Sequence, residues 1–231
     1  MTFPCLPLLL LLGAAPAPVE GLVLPFRQAE ICASVPGRLL ELKAAEGQAV
    51  AEGQVLAVLD GRLEELEMQR AKVLVERREF EAKGAKKLYD SKIIPEAKAL
   101  ESRIELDLAR LHYETAAQQV KLRTIVSPMN GVVALRTHEA GESVASGQPL
   151  FRILDLSRVV VQCAVASDIV GTLKLGQKVR VHLAATAGDC QGEVLLIAPC
   201  ADAEGKVGVR VVVDNPERRI RPGLKAQVEL P

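Results

Sequence analysis

The sequence predicts a mainly β chain carrying an α-helical hairpin. A β sandwich is assembled from two separated half-motifs, an antiparallel coiled-coil hairpin is inserted between them, and a small β barrel follows. Three observations lead there. One glycine-punctuated pattern occurs twice, the stretch between the copies is charged and helical in composition, and the last third reads as short strands broken by turn residues. The first copy is Val35-Pro36-Gly37, then Glu46-Gly47-Gln48-Ala49-Val50-Ala51-Glu52-Gly53-Gln54-Val55-Leu56. The second is Met129-Asn130-Gly131, then Ala140-Gly141-Glu142-Ser143-Val144-Ala145-Ser146-Gly147-Gln148-Pro149-Leu150. A single offset superimposes Gly37 on Gly131, Gly47 on Gly141, Val50 on Val144, Gly53 on Gly147 and Leu56 on Leu150, with no gap.

The first residues, Met1-Thr2-Phe3-Pro4-Cys5 and the apolar run Leu8–Leu12, lead into small residues and read as an export leader over 1–21. Cleavage after Ala15 or Gly21 fits, and the prolines after Ala15 and Ala17 favour Gly21. The first half-motif, within 22–60, turns at Glu46-Gly47-Gln48 and Glu52-Gly53-Gln54. Glycine at such corners supplies positive φ without a Cβ penalty. Val50 lies between the turns and points to a core. Neither half holds enough apolar surface to stand alone, so both pack together, 22–60 with 123–155.

The intervening stretch, 61–122, has roughly two charged residues in five, of both signs, which marks solvated helix faces. Asp60 is placed to cap the first helix and Pro95 to begin the second. In the second helix Ala97, Leu100, Ile104, Leu108, Leu111 and Thr115 recur at spacings of three and four, and are read as its packed seam. Leu63, Leu66, Val73, Phe80 and Leu88 form a looser stripe on the first. A pair of helices this long, about 45 Å, has little to bury against, so it should project and meet a partner at its tip. From 156 to 231, Val159–Val161, Gln177–His182, Gly192–Ile197, Val207–Val213 and Lys225–Leu230 are predicted strands, with turns at Asn215-Pro216 and Arg221-Pro222-Gly223. That number of strands in so short a segment makes a small barrel.

Composition narrows function. The chain has 231 residues with 29 basic and 29 acidic side chains, so no global field draws nucleic acid. Aromatic residues are 3% and tryptophan is absent, which removes stacking platforms for single strands. Beyond the leader, Cys32, Cys163, Cys190 and Cys200 could pair or remain free; free thiols are favoured, and no C-x-x-C pair exists. His112, His138 and His182 are scattered, so no metal site is predicted. Met68 and Met129 are the only methionines past the leader, which leaves a thioether copper route without support. No catalytic residue or cofactor is predicted. Gly47 and Gly53 flank strands without opening a helix and are turn glycines. The long insertion replaces the hairpin on which a lipoyl or biotinyl carrier would display its modifiable lysine, and Lys43, read as lying on a strand, is a solvated side chain.

The order of half-motif, hairpin, half-motif and barrel resembles the periplasmic adaptor or membrane fusion proteins of hemolysin D type and of resistance–nodulation–division (RND) efflux pumps. The resemblance rests on Gly37, Gly47, Val50, Gly53, Gln54 and Leu56 in the first half, and on Ser127, Pro128 and Gly131 in the second. Gly141 and Gly147 occupy the second-half turn positions. In the barrel it rests on Leu175-Gly176-Gln177, Gly192-Glu193-Val194, Asn215-Pro216 and Pro222-Gly223. It implies a split lipoyl/biotinyl-like sandwich and a non-enzymatic, envelope-located subunit of an efflux or secretion system. Such a subunit links an inner-membrane transporter, RND type favoured, to an outer-membrane channel and stacks into a ring of copies. Many family members carry an Arg, Leu, Ser triplet at the hairpin tip. Here Gly84 and Pro95 stand at the outer two positions and only Leu88 matches. Lys83, Lys87, Leu88 and Ile94 are the candidate tip contacts. The alternatives are an adaptor of an ABC-type exporter, a carrier subunit of an enzyme complex, and an envelope scaffold without a transporter.

Overall fold

A computed structural model describes residues 18–183 and 188–230. Its elements in chain order are β1 (Val19–Cys32), β2 (Gly37–Leu42), β3 (Ala49–Val50), β4 (Val55–Leu59), α1 (Arg62–Asp90) and α2 (Glu96–Leu122). There follow β5 (Thr124–Val126), β6 (Gly131–Arg136), β7 (Ser143–Val144), β8 (Pro149–Ala166), α3 (Ser167–Val170), β9 (Lys178–Leu183), β10 (Gly188–Ala201), β11 (Lys206–Asp214) and β12 (Lys225–Glu229). The described residues divide into two compact units, one comprising Gln28–Leu154 and the other 18–27 together with 155–183 and 188–230.

In the first unit the two half-motifs interleave. One sheet runs β5-β4-β2-β7 and the other contains β8-β6-β3, so strands of each half pair with strands of the other. The cross-half backbone hydrogen bonds made by the turn glycines come in matched pairs. The Gly53 amide donates to Ser127 O and the Gly147 amide to Ala33 O, each at 2.8 Å. The Gly47 amide donates to Val133 O (2.8 Å) and the Gly141 amide to Leu39 O (2.7 Å). The repeat is thus a pseudo-twofold in three dimensions. Its shared core pairs Leu39 with Val133, Val50 with Val144, Leu56 with Leu150 and Leu59 with Ile153, all buried.

The turns share one build. Gly47, Gly53 and Gly147 adopt φ of 78°, 78° and 80°, the third position of a type II turn. The glutamine that follows each glycine accepts, through Oε1, the amide hydrogen three residues back: Ala45 to Gln48 (2.9 Å), Ala51 to Gln54 (2.9 Å) and Ala145 to Gln148 (2.8 Å). The same clasp recurs in the other unit at Lys174 to Gln177 (2.9 Å).

That other unit has the strand order β1-β12-β9-β10-β11-β8, and a further β1–β8 pairing returns the order on itself. Its core is valine-rich, including Val161, Val181, Val209, Val211 and Val228. Gly21 lets β1 approach β8 closely, because a Cβ there would lie 2.7 Å from a Val161 methyl. Buried Asn215 donates through Nδ2 to the carbonyls of Leu156 (3.0 Å) and Ile220 (2.9 Å), and accepts the Ile220 amide (3.1 Å), closing the predicted Asn215-Pro216 turn.

Several expectations need correction. Most of the predicted leader lies outside the described residues, but Val19, Glu20 and Gly21 belong to β1 and pair with Val228, Gln227 and Ala226. Cleavage after Gly21 would therefore remove paired strand. Residues 22–27, assigned from sequence to the sandwich, lie in the barrel unit. Leu150–Leu154 and Val159–Val161 belong to one continuous strand, β8. No glycine interrupts the chain between Pro149 and Ala166, and only turn chemistry would have ended the strand earlier. Cys32, Cys163, Cys190 and Cys200 need no such correction and stand as free thiols, the reading the sequence favoured.

Candidate functional site

α1 and α2 form the predicted antiparallel hairpin, but the faces that meet are not those read from the sequence. Along α2 the residues turned toward α1 are Ala99, Ser102, Leu106, Ala109, Tyr113, Ala116 and Val120, at alternating spacings of three and four. Along α1 they include Glu64, Ala71, Arg78, Ala82 and Ala85. Small side chains line this seam, and small residues let two helix axes come close. Charges tie its margins. Arg78 Nη1 bonds Glu105 (2.8 Å) and Glu81 (2.7 Å), Arg110 bonds Glu79 (2.7 Å), and His112 lies 3.3 Å from Glu67. The Arg110 guanidinium beside Glu79 holds that carboxyl below its ordinary pKa, and Arg77 and Arg78 do the same for Glu81.

The predicted seam of α2 instead faces outward: Leu100, Ile104, Leu108 and Leu111 are exposed, Leu108 by 61%. So are Leu66, Val73 and Phe80 of α1, seven residues apart, Phe80 by 82%. The geometry is simple. Leu66, Val73 and Phe80 each stand two residues beyond seam positions 64, 71 and 78. Ile104, Leu108 and Leu111 stand two beyond 102, 106 and 109. Two residues are about 200° of helix, so each stripe points almost directly away from the partner helix. The hairpin is a plank with a small-residue middle and two large-residue apolar edges.

At its tip Ser91–Pro95 close the turn. Lys92 takes φ of 58°, its amide donates to Tyr89 O (2.7 Å), and the Ile93 amide donates to Leu88 O (2.8 Å). Pro95 precedes α2 as its cap instead of forming its first residue. At the other end Gly61 caps α1, and Asp60 contributes a hydrogen bond from the Arg62 amide (3.2 Å). Lys83, Lys87 and Leu88 sit on the last turns of α1 and are exposed, whereas Ile94 is only half-exposed. Its neighbour Ile93 is more exposed than Leu88 and is an apolar tip residue that the candidate contacts did not include. Beside the tip, Lys83, Lys86 and Arg103 line a groove of about 590 Å³ floored by Ala82, Ala99 and Leu106. Gly37, Gly47, Gly53, Gly131, Gly141 and Gly147 gather in the sandwich unit; Pro222 and Gly223 (φ 90°) belong to the barrel unit. Among the described residues no group of three or more His, Cys, Asp or Glu could hold a metal ion, and no helix is long and apolar enough to cross a membrane.

The family model described as RND MFP, barrel-sandwich hybrid domain, matches residues 27–156, and that described as CusB-like, beta-barrel domain, matches 158–231. Among curated proteins the chain is 26% identical over 222 residues to the cobalt-zinc-cadmium resistance protein CzcB of Cupriavidus metallidurans, covering 88% of this chain and 41% of CzcB. It is 26% identical to the nickel and cobalt resistance protein CnrB of the same organism, covering 93% of this chain and 57% of CnrB. It is 25% identical to the toluene efflux pump periplasmic linker protein TtgG of Pseudomonas putida, covering 89% and 57%. The chain thus spans between two fifths and three fifths of these relatives' lengths. Its fold matches a MacA-MexA chimeric protein containing the Pseudomonas aeruginosa MexA α-hairpin domain at a TM-score of 0.83 and 19% identity, covering 93% of this chain and 80% of that one. It also matches the membrane fusion protein Spr0693 of Streptococcus pneumoniae R6 at a TM-score of 0.74 and 17% identity, covering 93% and 98%.

Proposed function

Because this chain belongs to the RND-type membrane fusion protein family, we propose that it serves as an envelope adaptor in an efflux system. In this reading it docks on an inner-membrane transporter of RND type, assembles side by side with copies of itself, and presents its hairpin tip to an outer-membrane channel. The cargo is left to the transporter. The names of the relatives range from nickel and cobalt to toluene, over one shared architecture.

The observation that carries the reading is the pair of apolar edges. A lone hairpin in water gains nothing from exposing Leu66, Val73 and Phe80 on one side and Leu100, Ile104, Leu108 and Leu111 on the other. The edges differ in sequence, so their natural contact is α1 of one copy against α2 of the next. Such a head-to-tail contact leaves a free edge at each end until a ring closes.

Charging the edges tests it. Phe80→Asp blocks one edge and Leu108→Asp the other, at positions too exposed to disturb the seam. Each single variant is expected to lose at least tenfold in cross-linked oligomer, and an equimolar mixture should recover dimers through the edges left intact. Undiminished oligomers in the double variant would remove the edges from the mechanism. Capture from detergent-solubilised membranes tests the rest: the wild-type chain should bring down a transporter, and membranes that yield none contradict the adaptor role.

A further inference from the structure

The root of the hairpin is held by one side chain. Arg123 ends α2, and its backbone carbonyl accepts the Leu59 amide of β4 (2.8 Å). Its guanidinium turns back across the sandwich. Nη1 donates to the carbonyl of Pro36 (2.8 Å), just before β2, and Nη2 donates to the Glu64 carboxylate in the first turn of α1. Both partners are mostly shielded, Arg123 exposed by 20% and Glu64 by 24%, and charge-assisted bonds in such a place are stronger than on an open surface. One residue thereby joins β2, β4, α1 and α2.

The backbone makes room for it. A Cβ on Gly37 would stand 2.6 Å from Arg123 Nη1, and a Cβ on Gly61 would stand 3.0 Å from Arg123 Cγ. The repeat shows what Arg123 replaces. At Gly131, the counterpart of Gly37, the same space is taken by Ile153 and the carbonyl of Leu154, 2.6 Å from a notional Cβ. In the second half the chain runs on as strand β8. In the first half it leaves the sandwich at Gly61 to build the hairpin, and the Arg123 side chain occupies the space left behind.

We propose that Arg123 is a latch that fixes the angle between hairpin and sandwich, so that the two move as one rigid lever. Without its guanidinium, the hairpin keeps its backbone connections at Gly61 and at residues 123 and 124, and pivots there. The latch needs a planar donor that reaches two acceptors at once, which a lysine does not supply.

The test is a distance distribution by pulsed electron paramagnetic resonance in the full chain, with native cysteines replaced by alanine and spin labels at Glu76→Cys and Glu142→Cys. The latched chain should give one narrow distance. Arg123→Met, and independently Gly37→Ala, which keeps Arg123 but pushes its guanidinium aside, are each expected to widen the distribution at least twofold while the cooperative thermal melt is retained. A width unchanged in either variant overturns the proposal. So does widening that comes with loss of the cooperative melt, since Arg123 would then be holding up the sandwich instead of steering the hairpin.

Discussion

Single residues show how closely the repeat constrains this chain. Gly37 and Gly131 are the same position of one pattern, yet a methyl group costs different amounts at each. At Gly131 it would press on the Leu154 carbonyl, held in the β6–β8 pairing, and on the buried Ile153 side chain. Overpacking of that kind costs about 1–3 kcal/mol. At Gly37 the close contact would be the far end of the long Arg123 side chain, which can be displaced. Gly131→Ala should therefore lower the melting temperature by several degrees and Gly37→Ala by much less. Equal shifts in a thermal melt would mean that the pseudo-twofold does not distinguish the two sites. The glycine–glutamine turns carry a similar lesson. Glycine followed by glutamine was legible in the sequence as a turn, but the role of the glutamine amide, clasping the chain three residues back, was not. Cys163 shows what burial alone does: sealed in the barrel core, its thiol is pushed up to about 11.

At the scale of the element, the hairpin owes its pairing to margins of charge around a seam of alanines. Glu79 and Glu81 hold their carboxyls below the usual range because arginines donate to them. A carboxylate depressed in the folded state contributes stability above its unfolded pKa, and that contribution is lost as pH falls through the folded value. Helical circular dichroism should thus hold steady from pH 7 to pH 5 and decline below about pH 4. The decline should be shallower in a Glu79→Gln, Glu81→Gln variant, which has less to lose. Matching acid profiles for the two proteins would rule these pairs out as contributors. The hairpin's existence, its length and its tip were legible from composition and from Pro95. Its packed face was not. A stripe at spacings of three and four says that a helix has an apolar side, and both the alanine seam and the leucine stripe of α2 obey that spacing.

For the whole molecule, the hairpin is an insertion into an already complete sandwich. β4 and β5 pair antiparallel, with Val58 opposite Thr124, so the chain leaves and returns at neighbouring strands. Replacing 62–122 with a short glycine turn should yield a folded sandwich and barrel with a cooperative melt and no self-association. A chain that fails to fold after this excision would show that the hairpin supports the sandwich, contrary to the independent core it presents. Residues 22–27, read from the sequence with the sandwich, lie in the barrel unit for a reason at this scale. Val19–Leu22 carries no strong strand pattern, and its place is set by pairing with β12, at the far end of the chain.

By itself the sequence determined that two distant stretches fold together, because matched glycines and apolar positions at one offset can bury a core only in each other. It determined as well that a charged helical pair stands between them. Tertiary structure alone decided which helix face is hidden and what holds the hairpin at its root. Those outcomes depend on which surfaces can approach closely: a seam made mostly of small residues admits a neighbouring helix more closely than a stripe of leucines does, and two glycines open the space that Arg123 fills. Spacing along a chain records that a face is apolar, and packing in space chooses the face that is used.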